Sequence, residues 1–172
     1  MQLATPSQLA LSFTIHYIYR MQQVQSEHRG YRYSSDKSLL QIPVIHRYLA
    51  EDSYWSEQIP LATVQAAIAN SYCIGIYQGD TQVGFARIVT DYATFGYLAD
   101  VFVLPEHRGI GLSKFMMECI TGLDWVNRLR RFSLATLDAH GLYTKFGFRA
   151  PEHPDRLLEI TRPGMYKQLP GT

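Results

Sequence analysis

Hydrophobic residues recur along the chain with two different periods, which separate helices from strands. The helical period is clearest after a group of glycines. There one stripe advances by steps of three and one: Leu112, Phe115, Met116, Cys119, Ile120 and Leu123. Such a stripe is typical of an amphipathic helix that packs on a core. Shorter patterns of the same kind predict a helix over 42–51, with a proline as its second residue, and a helix over 61–70, with a proline just before it.

Runs rich in β-branched and aromatic residues predict the strands. They cover residues 31–34, 72–77, 82–90, 94–104 and 132–136, with Phe148 and 157–161 as the final strands. Gly79 supplies the backbone freedom of a tight hairpin, and a short helix is predicted over 139–146. Because strands alternate with helices after a meander of hairpins, we predict an α/β (α+β) class with a central, twisted, mostly antiparallel sheet flanked by helices.

The first 28 residues have a pattern of their own. Leu9, Phe13, Tyr17 and Val24 recur at helical spacing and predict an N-terminal helical arm over 1–28, ahead of a single domain over 29–172. An amphipathic arm has to cover an apolar surface, either on its own domain or on a second subunit. We expect a homodimer to which the arm contributes, with packing on its own domain as the alternative.

Composition excludes several classes of function. Sixteen lysines and arginines balance fifteen acidic residues, and the net charge of +1 argues against nucleic acid as a partner. The two cysteines have no CxxC spacing and the histidines form no HxxxH pair, so we predict no metal site. Leu9 to Tyr19 is too short to span a bilayer and resembles no signal peptide. We therefore expect no membrane partner and a cytoplasmic location.

The chemistry is concentrated where a strand ends and the clearest helix begins. Gly109 and Gly111 let the backbone approach a ligand closely, and the helix N-terminus after them offers unpaired N–H groups and a positive dipole end. This arrangement predicts an anion site suited to a phosphate or pyrophosphate. It is not a Walker A loop, since Gly111 is followed by Leu112-Ser113, nor a dinucleotide fingerprint, since Lys114 replaces the third glycine.

Two motifs resemble those of one superfamily. Arg108, Gly111 and Ser113 match the Arg/Gln-x-x-Gly-x-Gly/Ala signature of the GNAT superfamily of N-acyltransferases, with serine as the last small residue. Residues 142–148, with the sequence LYTKFGF, are similar to its late Leu-Tyr-x-Lys-x-Gly-Phe motif. The sequence of residues 97–105 most resembles the spermidine/spermine N-acetyltransferase-like branch of this superfamily. That branch usually carries glutamate where this chain has Ala99.

The resemblance implies a GNAT fold, acetyl-CoA as cofactor and roles for particular residues. Tyr143 is implied as the general acid that protonates the departing thiolate, because a tyrosine with a pKa near 10 is protonated at neutral pH. Asp100 is a candidate base, although strand alternation directs it to the face opposite Ala99 and Val101. Water relayed from Tyr97 is the alternative. The implied CoA contacts are Val101, Phe102, Val103, Arg108, Gly109, Ile110, Gly111, Leu112, Ser113, Lys114, Asp138 and Lys145.

The segments before the core motif are expected to form the acceptor pocket. Its candidate lining residues are His46, Tyr48, Tyr54, Trp55, Tyr92 and Tyr97. Aromatic groups with few carboxylates favour a small-molecule amine that carries an apolar or planar part. We therefore predict N-acetyl transfer from acetyl-CoA to a primary amine by direct attack. Two alternatives stay open, namely an enzyme that acetylates a protein or peptide, and a non-catalytic CoA-binding regulatory module.

Overall fold

The computed structural model describes residues 25–168 of the 172-residue chain. Its strands are β1 (Gln25–His28), β2 (Tyr31–Ser34), β3 (Tyr72–Gln78), β4 (Thr81–Thr90), β5 (Phe95–Val103) and β6 (Arg131–Ser133). Its helices are α1 (Ile42–Arg47), α2 (Leu61–Ala69), α3 (Leu112–Thr121), α4 (Asp124–Arg128) and α5 (His140–Tyr143). A π-turn over Tyr48–Asp52 continues α1, and a 3₁₀ turn over Thr144–Phe146 continues α5.

The six strands lie in the sheet in chain order. Each neighbouring pair from β1 to β5 is antiparallel, and only β5 and β6 are parallel. β1 and β2 are joined by Arg29-Gly30, both with positive φ, as a two-residue hairpin turn of type I′ requires. The predicted mixed class with a mostly antiparallel sheet is confirmed. Parallel pairing of β5 with β6 requires the long crossover that contains α3 and α4.

Helices cover both faces of the sheet, so the molecule has two apolar cores. On one face, α3 and α4 pack through residues such as Phe115, Met116 and Trp125 onto the side chains of β2 to β5. On the other face, α1 and α2 pack through residues such as Ile45 and Val64. The predicted helical stripe of α3 is therefore the centre of the first core. Within the described residues, no helix is long and apolar enough to cross a membrane.

The domain begins earlier in the chain than the hydrophobic pattern predicts. Gln25–His28 form β1, which pairs along its whole length with β2, so these four residues belong to the sheet although the predicted arm included them. The rest of the predicted arm, residues 1–24, lies outside the described residues.

The predicted final strands are wrong. Phe148 and 157–161 pair with no strand among the described residues, and the side chains of Leu158 and Ile160 are 96% and 84% exposed. β6 is also shorter than predicted, because it ends at Ser133 rather than at residue 136. An apolar run forms a strand only where a neighbouring edge accepts its hydrogen bonds, and prolines at 151, 154 and 163 interrupt the backbone donors of this segment.

Candidate active site

Strand β5 carries a bulge at the point where it parts from β6. Arg87 of β4 pairs with Ala99, but Phe85 pairs with Phe102, so Asp100 and the next residue together lie opposite one residue of β4. Asp100 has a φ of +53°, which fits such a bulge. Pairing with β6 ends at Tyr97, whereas β5 continues to Val103. From residue 98 onward, the outer edge of β5 is therefore not paired with β6.

The bulge changes the face on which Asp100 lies. Its carboxylate contacts the side chain of Arg87, and Arg87 lies opposite Ala99 in the sheet. Directly opposed residues share a face, so Asp100 and Ala99 lie on the same face. The prediction that they point to opposite faces is wrong, because the bulge interrupts the alternation. Asp100 does lie opposite Val101 as predicted, since Val101 packs against the core under α3.

Both oxygens of the Asp100 carboxylate are engaged. Arg87 Nε lies 2.5 Å from Oδ2, and the indole Nε1 of Trp55 donates to Oδ1 at 3.2 Å. Arg87 also donates through a terminal guanidinium nitrogen to Ser71 Oγ at 3.3 Å. Sequence reasoning missed Arg87, although one charged residue within an apolar strand was a visible signal. The pair fixes Asp100 in position and leaves no net charge there.

The predicted anion site lies between the end of β5 and the start of α3. The chain passes through a 3₁₀ turn over Pro105–His107 and then adopts positive φ at Gly109 (+80°) and Gly111 (+91°). A Cβ atom built on either glycine would meet no atom of the described residues within 4 Å beyond its chain neighbours. Open space therefore lies beside both glycines, just before α3 begins. The unpaired N–H groups of a helix N-terminus next to such a loop are suited to phosphate oxygens.

Two arginines flank this loop in different ways. Arg108 turns its guanidinium back into the protein, where Nε donates to the Val103 carbonyl at 2.8 Å and a terminal nitrogen donates to the Tyr48 hydroxyl at 2.9 Å. Its side chain thus joins β5 to the π-turn after α1. Arg29, in the β1–β2 turn, donates to the Ile110 carbonyl at 3.4 Å and so brings a cation to the loop. No sequence motif pointed to Arg29, because the β1–β2 hairpin lies far from the loop in the chain.

Tyr143 lies at the end of α5. Its ring is buried in the core under α3 and contacts the ring of Phe148 edge-on. Burial is the main cause that raises the pKa of its hydroxyl to about 12, with smaller contributions from the nearby Tyr54 and Asp138. The phenol is therefore protonated at every pH at which the protein would work. It packs as a core aromatic and also holds a proton at the site.

The other predicted CoA contacts are distributed around the same region. Phe102 and Leu112 have buried side chains, so only their backbone can face a ligand. Lys114 is exposed and lies 3.4 Å from Glu118. Ser113 is half-buried in the first turn of α3, and Asp138, Lys145 and Ile110 are exposed.

Four of the predicted acceptor residues lie on the face of Asp100. Tyr54 and Trp55 stand edge to face with ring centroids 5.0 Å apart, and both are largely exposed. Tyr48 is buried and stacks on Phe102 at 3.9 Å. Burial is also the main cause that raises the pKa of Tyr48. Tyr97 is exposed on the same face, since it alternates with the buried Leu98.

The remaining two predicted acceptor residues lie elsewhere. His46 shares a hydrogen bond of 3.0 Å between Nε2 and the Ile59 carbonyl, which joins α1 to the segment before α2. Tyr92 packs edge-on against Trp125 of α4, with ring centroids 5.0 Å apart, on the opposite face of the sheet. The structure therefore does not bring either residue to Asp100 or Tyr143.

Comparisons with known proteins agree with this geometry. The acetyltransferase (GNAT) domain family matches residues 69–150. A candidate acetyltransferase of Gibberella zeae is 35% identical over 135 residues, which are 67% of this chain and 76% of that protein. A solved structure of a candidate GNAT-family acetyltransferase from Xanthomonas campestris pv. campestris is 51% identical, with a TM-score of 0.79, over 83% of this chain and 99% of the other.

A more distant solved structure shares the fold. It is a candidate acetyltransferase from Clostridium acetobutylicum, solved with acetyl-CoA, with 17% identity and a TM-score of 0.56 over 76% of this chain and 94% of the other. The closer relatives show that the chain is an acetyltransferase, and the unpaired edge of β5 and the loop with Gly109 and Gly111 agree with that class. The chain belongs to the GNAT family of acetyltransferases, and its cofactor is acetyl-CoA.

Proposed function

We propose that this enzyme transfers the acetyl group of acetyl-CoA to a primary amine of a small molecule by direct attack. The observation that carries the proposal is a cavity of about 480 Å³ beside Tyr54 and Trp55. Its volume lies within the usual range for small-molecule sites. Trp55 donates to Asp100, and Tyr54 lies close enough to Tyr143 to affect its pKa. Neither Asp100 nor Tyr143 lines the cavity itself, and one aromatic lining residue links the cavity to each of them.

The cofactor would lie along the route that the open backbone offers. The N–H groups at the start of α3, with Gly109 and Gly111, would hold the pyrophosphate, and Arg29 adds a positive charge there. The unpaired edge of β5 would accept the pantetheine arm by backbone hydrogen bonds. The carbonyl of Val103 already accepts from Arg108. Acetyl-CoA supplies the thioester whose acetyl carbon accepts the amine nitrogen while its carbon–sulfur bond breaks.

Tyr143 is proposed to donate a proton to the departing sulfur of CoA. Its hydroxyl is protonated, since burial raises its pKa to about 12. A donor that stays protonated stabilises negative charge on sulfur as the bond breaks and then supplies the proton of the free thiol. Phenylalanine at this position would keep the packing and remove the donor.

Asp100 is proposed to act on the amine side. A primary alkylamine with a pKa near 10.4 is neutral only about once in 2,500 molecules at pH 7, so a proton acceptor is useful. Each carboxylate oxygen retains a lone pair beyond its bond to Arg87 or Trp55. Asp100 would take the proton of the attacking nitrogen directly or through a water molecule. A water relayed from Tyr97 is the alternative acceptor.

A cytoplasmic homodimer completes the proposal. Cys73 and Cys119 form no disulfide among the described residues, which fits a reducing compartment. The apolar stripe of the predicted N-terminal arm supports a contact between subunits.

Thiol release with a panel of amines tests the proposal. Acetyl-CoA would be incubated with the enzyme and with small amines, lysine-containing peptides or no acceptor, and the free thiol measured. We expect release that depends on a small amine. Release only with peptides would favour the protein or peptide acetyltransferase, and binding of acetyl-CoA without release in any mixture would favour the regulatory module.

A further inference from the structure

The cavity beside Tyr54 and Trp55 has a second wall that the sequence did not indicate. The C-terminal segment over 160–167 forms it, and the wall includes Arg162 and Met165. Tyr166 of the same segment packs against the core under α1. The segment thus lines the proposed acceptor side of the site.

Tyr54 and Trp55, which line the cavity, link it to the residues that we assign to the reaction. Trp55 donates its indole N–H to the Asp100 carboxylate at 3.2 Å. The Tyr54 hydroxyl accepts from the backbone N–H of Leu137 at 3.2 Å, one residue before Asp138. An acceptor in the cavity would therefore place its planar or apolar part between Tyr54, Trp55 and the C-terminal segment while its amine points toward Asp100.

The charges of the cavity do not cancel. Glu57 and Lys167 lie 2.5 Å apart and neutralise one another. Arg162 also lines the cavity, and no carboxylate of the described residues lies within ion-pair distance of it. Among the described lining residues, the solvent-exposed Arg162 is therefore the one charged group without a counter-charge. A guanidinium in such a place binds a carboxylate through two parallel hydrogen bonds, whereas it repels a second ammonium group.

We infer that the acceptor is an amine that also carries a carboxylate and a planar or apolar side chain, in the manner of an aromatic amino acid. Arg162 binds the carboxylate, and Tyr54 and Trp55 contact the side chain. This inference rests on the proposed function, since it concerns the acceptor of that reaction. It also disfavours a polyamine, in which a second positive charge would stand near Arg162.

Matched acceptor pairs test the inference. L-phenylalanine and 2-phenylethylamine form one pair, and L-tryptophan and tryptamine form another, each differing only in the carboxylate. Thiol release gives kcat/KM, corrected for the fraction of neutral amine at each pH. We expect the kcat/KM of the wild type to be about tenfold or more higher for the amino acid of each pair, because only the amino acid has a carboxylate that accepts charged hydrogen bonds from Arg162. Equal values, or a preference for the decarboxylated amine, would overturn the inference.

Four variants locate the effect. Arg162→Gln should abolish the preference mainly through KM, and Arg162→Lys should restore part of it. Arg156→Gln is the control, because Arg156 is exposed, precedes the segment and does not line the cavity, and it should leave the preference intact. Glu57→Gln leaves Lys167 unpaired and should strengthen the preference. An unchanged preference in Arg162→Gln would contradict the assignment of Arg162.

A binding experiment separates this inference from the proposed function. Calorimetric titration of L-phenylalanine into the enzyme saturated with CoA should show binding that Arg162→Gln abolishes. If that binding occurs without any acetyl transfer, the proposed function fails and the carboxylate site stands. If transfer occurs equally to both members of each pair, the function stands and the site fails. If neither binding nor transfer occurs with either pair, the inference is overturned.

Discussion

The Asp100 carboxylate lies 2.5 Å from Nε of Arg87, across two neighbouring strands, and the two side chains are only 11% and 19% exposed. The bulge in β5 makes this contact, since Asp100 would otherwise lie on the other face of the sheet. The pair holds a carboxylate beside Trp55 without leaving a net charge there.

Removing one partner of this pair should destabilise the fold. Asp100→Ala leaves the Arg87 guanidinium buried without its counter-charge, which costs about 3 kcal/mol in the free energy of unfolding. Lys114→Ala is the control, because it breaks an exposed ion pair with Glu118 and should cost less than about 1 kcal/mol. Urea denaturation measures both. Similar losses in the two variants would contradict the structural importance of the Arg87–Asp100 pair.

Local patterns predicted most of the fold because local physics controls those elements. The stripe of α3 and the hairpin between β3 and β4 follow from side-chain periodicity and turn chemistry alone. The bulge at Asp100 was out of reach, because it depends on how β5 pairs with β4 and alternation assumes regular pairing. The prediction of the final strands was wrong for the same reason, because no neighbouring strand among the described residues pairs with the apolar run at 157–161.

The candidate site was predicted where a motif is contiguous and missed where distant segments meet. The role proposed for Gly109 and Gly111 depends on their own backbone, so a contiguous motif suffices to predict it. Arg29 lies beside Ile110 and Arg162 lines the cavity, and the roles proposed for these two distant residues depend on the folded arrangement. His46 was misleading because a polar residue near aromatic ones fits a pocket lining as well as the hydrogen bond to Ile59 that it makes.

The anion loop predicts how the cofactor stabilises the protein. Acetyl-CoA at 100 times its dissociation constant should add about 2.7 kcal/mol, a rise in Tm of about 5 °C or more. Gly111→Asp should abolish the rise, since it puts a negative side chain into the open space of the cradle. Gly79→Asp is the matched control, because Gly79 also has positive φ and open surroundings but lies in the β3–β4 hairpin. A normal rise in Gly111→Asp would show that the phosphates bind elsewhere.

The raised pKa of Tyr143 fixes the shape of the pH profile. A general acid works at pH values below its pKa, and burial places this pKa at about 12. Activity should therefore rise with pH as the amine loses its proton and should show no falling limb below about pH 10. The measurement is kcat/KM from pH 6 to 10, with circular dichroism to confirm that the protein stays folded. A falling limb centred near pH 8 in folded protein would mean that another group donates the proton.

The predicted arm should affect assembly but not cofactor binding. Because β1 begins at Gln25, the appropriate truncation removes residues 1–24 and leaves the sheet intact. We expect the full chain to sediment as a dimer and the truncated chain as a monomer, with the same affinity for acetyl-CoA. A truncated protein that stays dimeric would place the arm on its own subunit. A monomeric full-length chain would exclude the proposed dimer.

Acetyl transfer assisted by the proton of Tyr143 is tested most directly by the rate of amine-dependent thiol release in Tyr143→Phe. We predict a loss of about 10²-fold in kcat with an affinity for acetyl-CoA within a few-fold of wild type, because the ring stays and only the donor is lost. Tyr77→Phe is the control, since this buried tyrosine of β3 has a hydroxyl without a hydrogen-bond partner among the described residues. It should keep nearly full activity. Wild-type turnover in Tyr143→Phe would contradict the account.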